Sequence, residues 1–129
     1  MQTSEVEIQQ EPLGPNTAVR VRGTVNMENS PKLRNVLKKL ADGKTPGVIV
    51  SFEGAQGVDT SGLATLVECS QNMQAYGGRL LVAALNSHLA DAYSLVDIEG
   101  AFAIFDTEGD AAEALKADHP KEAEQDAAT

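Results

Sequence analysis

Four consecutive residues, Asp59, Thr60, Ser61 and Gly62, set a carboxylate, two hydroxyls and a glycine where one kind of local structure gives way to another. Upstream, "PGVIVSF" is the nearly continuous apolar run of a strand buried on both faces, followed by a loop "EGAQG". Downstream, Leu63, Leu66, Val67, Cys69 or Ser70, and Met73 recur at helical spacing until Gly77-Gly78. The hydroxyls therefore stand at the mouth of a helix. Four backbone N–H groups are unpaired there, and any one of Asp59, Thr60 and Ser61 can accept from them as a cap. Three such residues in succession exceed what a cap requires. The helix N-terminus also carries partial positive charge, so it favours a phosphate on either hydroxyl. A phosphate would add roughly −1.5 to −2 charges beside Asp59 and change any surface docked there.

Other chemistries fit less well. Ser61 as a nucleophile needs a base, and the only histidines are His88 and His119. His88 falls in the first turn of a further helix, and the Ser61 sequence lacks the G-x-S-x-G elbow of esterases. "GKT" at Gly43 to Thr45 lacks the glycine that a phosphate-binding loop carries five residues earlier, where Lys38 stands, and it ends a helix instead of opening one. "VDTSG" differs from the Asp-Thr-Gly of aspartic proteases because Ser61 intervenes and a helix follows. Two scattered histidines and one cysteine have no metal-ligand spacing. Cys69 has no partner for a disulfide within the chain and reads as a small buried hydrophobe. No catalytic residue, metal or cofactor is expected.

The elements that must position the motif follow from the rest of the chain. "SEVEIQQ" and "TAVRVRGTV" alternate, with Val19 and Val21 on one face and Arg20 and Arg22 on the other, and the turn "EPLGPN" between them makes a hairpin. "NSPKLRNVLKKLADG" is a helix with Asn29 or Ser30 as cap, Pro31 in its first turn, an apolar stripe of Leu33, Val36, Leu37 and Leu40, and a stop at Gly43. "RLLVAAL" is a second buried strand, "NSHLADAYSLV" a helix, "AFAIFD" a short strand and "GDAAEALKA" a closing helix. The order ββαβαβαβα implies an α/β domain with a mixed, mostly parallel sheet. Residues 1–117 form this domain. The remainder, 118–129, reads "DHPKEAEQDAAT", a composition that cannot bury a core and is expected to be a disordered acidic tail.

At 129 residues the chain is one domain with one core. Aromatic residues are 4% of it and tryptophan is absent, so it lacks the stacking surfaces that bind single-stranded nucleic acid. A net charge of −9 gives it no electrostatic reason to bind phosphate backbones or anionic membranes. The charge is uneven: between Ser30 and Lys44 stand five basic residues (Lys32, Arg34, Lys38, Lys39, Lys44) and one acid, Asp42. That is either a solvated helix face or a partner surface. No signal-peptide pattern opens the chain, and no apolar run nears the ~18 residues of a membrane span, so a cytoplasmic setting is expected.

A strand, a loop and "VDTSGL" opening a helix resemble the STAS domain of bacterial anti-sigma factor antagonists. The resemblance covers roughly residues 5 to 116. It extends to "GGRLLVAALNSHLADAYSLVDIEGAFAIFDTEGDAAEAL", which is similar in pattern and length to the family's downstream half. It implies helices packed largely on one face of the sheet. It also implies a protein with no chemistry of its own that binds a serine-kinase anti-sigma factor and so frees a sigma factor. Phosphorylation by that kinase, which supplies ATP and Mg²⁺, then ejects it. By the same resemblance Ser61 is the favoured phosphoacceptor and Thr60 the second candidate. Asp59 would orient the acceptor, and Gly62 would let the partner's active site approach. A monomer or weak dimer is expected. Two positions depart from the family. Ser51 stands where an aspartate close to the acceptor is usual, and "RGTVNMEN" replaces the usual Gly-Glu-Leu-Asp. The resemblance also admits a second role, as a docking subunit of an ABC-type lipid transporter or a stress-sensing complex without phosphoswitching. There the exposed face of the helix after the motif, Thr65, Glu68, Gln71 and Asn72, would carry binding.

Overall fold

A computed structural model describes residues 6–85 and 102–123. Strands β1 (Val6–Leu13), β2 (Asn16–Val25), β3 (Gly47–Val58), β4 (Arg79–Ala83) and β5 (Ala103–Phe105) form one sheet in the order β1-β2-β3-β4-β5. Helix α1 spans Ser30–Asp42, α2 Thr60–Gln74 and α3 Glu108–Ala123. The β1–β2 pair is antiparallel and the other three pairs are parallel. The mixed, mostly parallel sheet read from the sequence is therefore present. The helix expected over residues 86–96 lies outside the described residues, as does 124–129. Helix α3 continues to Ala123, past the boundary at 117 that composition suggested for the tail.

The strand order explains where the helices go. Each crossover from β2 to β3 and from β3 to β4 steps the same way across the sheet, and crossovers of uniform hand put their helices on the same face. Leu33 and Leu37 of α1, with Leu63, Leu66 and Met73 of α2, meet Val19, Val21, Val25, Val48, Val50, Phe52, Leu80 and Val82 in the main core. On the opposite face Ile49, Leu81 and Ala83 form a smaller cluster with Ala111 and Leu115 of α3. Two of the three described helices thus share a face and the third covers the other. In α1 the fully covered stripe is Leu33, Leu37 and Ala41, while Val36 and Leu40 sit half-buried at its margin.

Two stretches are more regular than their composition predicted. The hairpin turn is only Gly14-Pro15, because Leu13 already pairs with Asn16. Gly14 has φ +64°, which glycine adopts without strain at the first position of a two-residue turn. Pro12 is tolerated in β1 because that strand is at the sheet edge. "EGAQG" is likewise no loop: it continues β3 to Val58, with register shifts against β2 between Arg20 and Arg22 and between Gly23 and Thr24. A Cβ on Gly54 would stand 3.2 Å from Arg22 Cγ, so the glycine makes room for a crossing arginine stem.

The start of α3 is fixed to the sheet by charge. Arg20 donates from Nε at 3.0 and 3.2 Å, and from Nη2 at 2.6 Å, to the Glu108 carboxylate, and from Nη1 to Glu11. Glu53 Oε2 accepts from the backbone N–H of Glu108 at 2.7 Å. The bonds from Arg20 hold the Glu108 carboxyl below its ordinary value, against the opposing effect of partial burial. A depressed value in the folded state means that the unfolded chain takes up its proton first. Stability from this pair is complete above the unfolded value and is lost as pH falls through the folded one. Acidification below about pH 4 should therefore lower the melting temperature of the wild type more steeply than that of Glu108→Gln. Parallel slopes would show that the pair is too well solvated to matter.

Candidate functional site

The site is built where β3 ends. The backbone N–H of Asp59 donates to Val25 O at 3.0 Å, so the last residue before α2 still belongs to the sheet. Asp59 is extended (φ −97°, ψ −174°) and is the N-cap. Its Oδ1 accepts from the backbone N–H of Ser61 at 2.9 Å and of Gly62 at 3.3 Å. One carboxylate therefore does the capping, which leaves two hydroxyls to account for. The Ser61 hydroxyl donates to the same Oδ1 at 2.6 Å. Ser61 is half-buried. Thr60 is exposed, and its hydroxyl makes no hydrogen bond among the described residues. Chemically, this is a hydroxyl oriented by a carboxylate at the positive end of a helix, open to a macromolecule that approaches along the helix axis.

Gly62 is present for an internal reason. A Cβ there would stand 2.6 Å from Val58 Cγ1 and 2.9 Å from Val25 Cγ1, both on buried side chains. The residue is itself buried, so the approach it permits is that of the helix to the ends of β2 and β3. That packing alone accounts for a glycine at this position.

Of the residues expected on the exposed face of α2, Thr65 is not there. It is 7% exposed, packed toward α1, and its hydroxyl donates to Ser61 O at 3.0 Å. Because that bond satisfies the hydroxyl, the threonine can be covered at little cost. It steadies the carbonyl of Ser61 and is unavailable to a partner. Glu68 is exposed and pairs with Arg34 across the α1–α2 seam at 3.0 Å. Gln71 and Asn72 are exposed.

Ser51 is also not where the resemblance implied. It is 2% exposed on the α3 face of the sheet, in register with Arg20, and its hydroxyl accepts from Glu53 N at 3.3 Å. Its hydroxyl adds a smaller contribution to that of Arg20 in holding the Glu108 carboxyl ionised. The alternation of β3 thus separates Ser51 from the face on which α2 packs. What the sequence missed is the Arg20, Glu108, Ser51 cluster, because its members are distant in sequence and meet only across the sheet.

Cys69 is buried in the main core, and desolvation pushes its thiol up to about 11, with the Glu68 charge adding to the effect. It behaves as a small apolar residue. Among the described residues no group of three or more His, Cys, Asp or Glu could hold a metal ion. No described helix is long and apolar enough to cross a membrane. His88 and His119 lie outside the residues whose side chains are described.

A five-stranded mixed sheet with a capped hydroxyl motif at the end of its central strand defines the class of protein. The STAS domain family model matches residues 5–111, and the chain belongs to that family. Among solved structures, an anti-sigma factor antagonist from Mycobacterium paratuberculosis superposes with a TM-score of 0.79 at 18% identity, covering 88% of this chain and 96% of that one. The antagonist SpoIIAA in its unphosphorylated form gives 0.68 at 18% identity over 85% of this chain and 98% of its own. The Bacillus cell fate determinant SpoIIAA in the phosphorylated form gives 0.67 at 15% identity over 84% and 99%. At these identities the likeness is one of fold. No curated protein matches the sequence.

Proposed function

We propose that this protein is an anti-sigma factor antagonist. In this reading its unphosphorylated form binds a serine-kinase anti-sigma factor and displaces a sigma factor, and phosphorylation of Ser61 ends the complex. The observation that carries the reading is the Ser61 hydroxyl, half-exposed in the first turn of α2 and held at 2.6 Å by Asp59. Structural neighbours described as antagonists, one of them in a phosphorylated form, support it. Thr60 is the second candidate acceptor, being more exposed but unheld. The protein acts as substrate and switch. ATP and Mg²⁺ come with the kinase, which puts the encounter in the cytoplasm.

The physics of release is local. The phosphoryl group displaces the hydroxyl proton that Asp59 accepts, and sets about two negative charges against that carboxylate. The dianion and Asp59 then compete for the N–H groups of Ser61 and Gly62, and the winner leaves the other charge facing the partner. Ser61→Asp should therefore keep the melting curve of the wild type and lose at least tenfold in affinity for the kinase, about 1.4 kcal/mol. Ser61→Ala should bind and resist modification. Intact mass and peptide mapping of protein from its own host test the acceptor directly: one added phosphate on Ser61 or Thr60 establishes the switch. A chain unmodified under every growth condition would favour a transporter or stress-complex docking subunit instead.

A further inference from the structure

Charge is segregated on this molecule. Helix α1, the turn after it and α2 together carry five bases and two acids, in a chain of 10 bases and 19 acids. The bases are Lys32, Arg34, Lys38, Lys39 and Lys44, and all five are exposed. Helix stability does not account for the set. Lys32 stands in the first turn of α1, which holds no acid, and a cation there opposes the helix dipole. Arg34 pairs with Glu68 at 3.0 Å and Lys38 with Asp42 at 3.3 Å, but both pairs are well exposed and such pairs contribute little.

Lys44 is the most unusual of the five. The sequence puts the stop of α1 at Gly43, and glycine is the residue that favours left-handed backbone at a helix end. Gly43 instead has φ −83°, which any residue adopts, and the left-handed position falls to Lys44 at φ 59°. The N–H groups of Lys44 and Thr45 donate to Ala41 O at 2.9 Å and Leu40 O at 3.1 Å, so these carbonyls at the helix end are occupied. A non-glycine residue held in this conformation costs on the order of 1 kcal/mol, and such strain is an observation from which a site can be inferred. The side chain kept at that cost has a defined place. Lys44 Nζ lies 5.4 Å from the centroid of the Tyr76 ring, and the ring is fixed by its hydroxyl, which donates to Thr45 O at 2.8 Å. Beside them an open cleft of about 500 Å³ separates the C-terminal halves of α1 and α2. Lys38, Asp42 and Lys44 line it from the α1 side, and Glu68, Asn72 and Tyr76 from the α2 side.

We infer that this cleft is a docking site separate from the phosphoacceptor, and that it takes an acidic segment of a partner protein, with a carboxylate received by Lys38 and Lys44. The exposed Lys38–Asp42 pair opens at little cost, so a partner carboxylate can replace Asp42 on Lys38. Asn72 supplies an amide donor. Lys39, on the exposed face of α1, attracts a flanking acid. Charge complementarity selects the occupant. A protein segment can present a few acids to this face alone, whereas duplex DNA or an anionic membrane would also meet the rest of a chain whose net charge is −9. The cleft is at the end of α2 away from Ser61, since that helix has 15 residues and is about 22 Å long. Its occupation does not depend on phosphorylation, and the inference stands apart from the antagonist reading.

The test is a titration of the full, isotope-labelled chain with synthetic hexaglutamate at low salt, read by amide chemical shifts. Saturable shifts are expected at Lys38, Lys44, Asn72 and Tyr76 and none at Ser61. Lys44→Gln, which keeps the backbone and removes the charge, should raise Kd about fivefold, as should Lys38→Gln. Lys32→Gln, at the other end of α1, should bind like the wild type. Lys44→Gly should lose the same affinity yet melt no lower than the wild type, because glycine relieves the left-handed strain. Ser61→Asp should bind the peptide unchanged, so failure of the phosphorylation switch leaves this result untouched. Absence of saturable shifts at millimolar peptide overturns the inference. So does an equal loss in Lys32→Gln, which would make the attraction one of the whole helix face. A Lys44→Gly chain that melts lower and binds equally well would make the lysine structural, and overturns it too. Tighter binding of duplex DNA or of phosphatidylglycerol vesicles than of the peptide would assign the face to another class of partner, with the same consequence.

Discussion

A chain carrying Leu66→Asp should show no cooperative melting transition. Leu66 is 0% exposed and faces the main core from the middle of α2, between the sheet and α1. The substitution removes a packed side chain, at about 2–5 kcal/mol, and buries a carboxylate with no partner, at several kcal/mol more. A domain of this size has about 5–15 kcal/mol to lose. The neighbouring change Ala64→Asp is the control. Ala64 is exposed in the second turn of α2, so a carboxylate there stays in water and that chain should melt close to the wild type. Far-ultraviolet circular dichroism against temperature distinguishes the two. A normal curve for Leu66→Asp would put the helix in a different rotational phase and detach the motif from the core.

Gly62→Ala should also destabilise, although alanine in place of glycine normally favours a helix by about 1 kcal/mol. The reversal comes from the two contacts at 2.6 and 2.9 Å, made to valines packed in the core at the ends of β3 and β2. Relieving them means moving the helix start away from the sheet. Overpacking of this kind costs about 1–3 kcal/mol, a fall in melting temperature of roughly 3–15 °C. Moving the helix start also moves Ser61, since the cap at Asp59 is bonded to Val25. Loss of stability and loss of phosphorylation should therefore appear together. A glycine that served only a partner's approach would give a stable variant with impaired binding, and that result would restore the reading taken from the resemblance.

The helix after the motif illustrates how far local pattern reaches. Leu63, Leu66 and Met73 were legible as its buried side because helical periodicity is a property of consecutive residues, while Cys69 and Ser70, left as alternatives by the pattern, are both buried. A cap among Asp59, Thr60 and Ser61 was legible too, but not that Asp59 supplies it. The two adjacent hydroxyls could be placed at the helix mouth but not told apart. Distinguishing them takes the rotamer that brings Ser61 Oγ to Asp59, which depends on how β3 delivers the chain into α2. Thr65 was misplaced because a polar residue is assigned to solvent by default. Its burial follows from the neighbouring helix α1 and a carbonyl four residues back.

The strands show the same division. Alternation in β2 predicted which valines turn inward. It could not show that β3 runs to Val58 through two glycines, since a bulged strand is held by its neighbour's hydrogen bonds rather than by its own composition. By resemblance Ser51 stands where an aspartate close to the acceptor is usual, yet the pleat of β3 turns it to the other face of the sheet, toward Glu108. By itself, then, the sequence determined the three described helices, the alternation of β2 and the presence of a cap at the motif, all set by interactions within a few residues. Tertiary structure alone decided which hydroxyl is held, why position 62 is glycine, where Ser51 and Thr65 face and that Lys44 is carried over Tyr76. Each of these depends on groups far apart in the chain that only folding brings together.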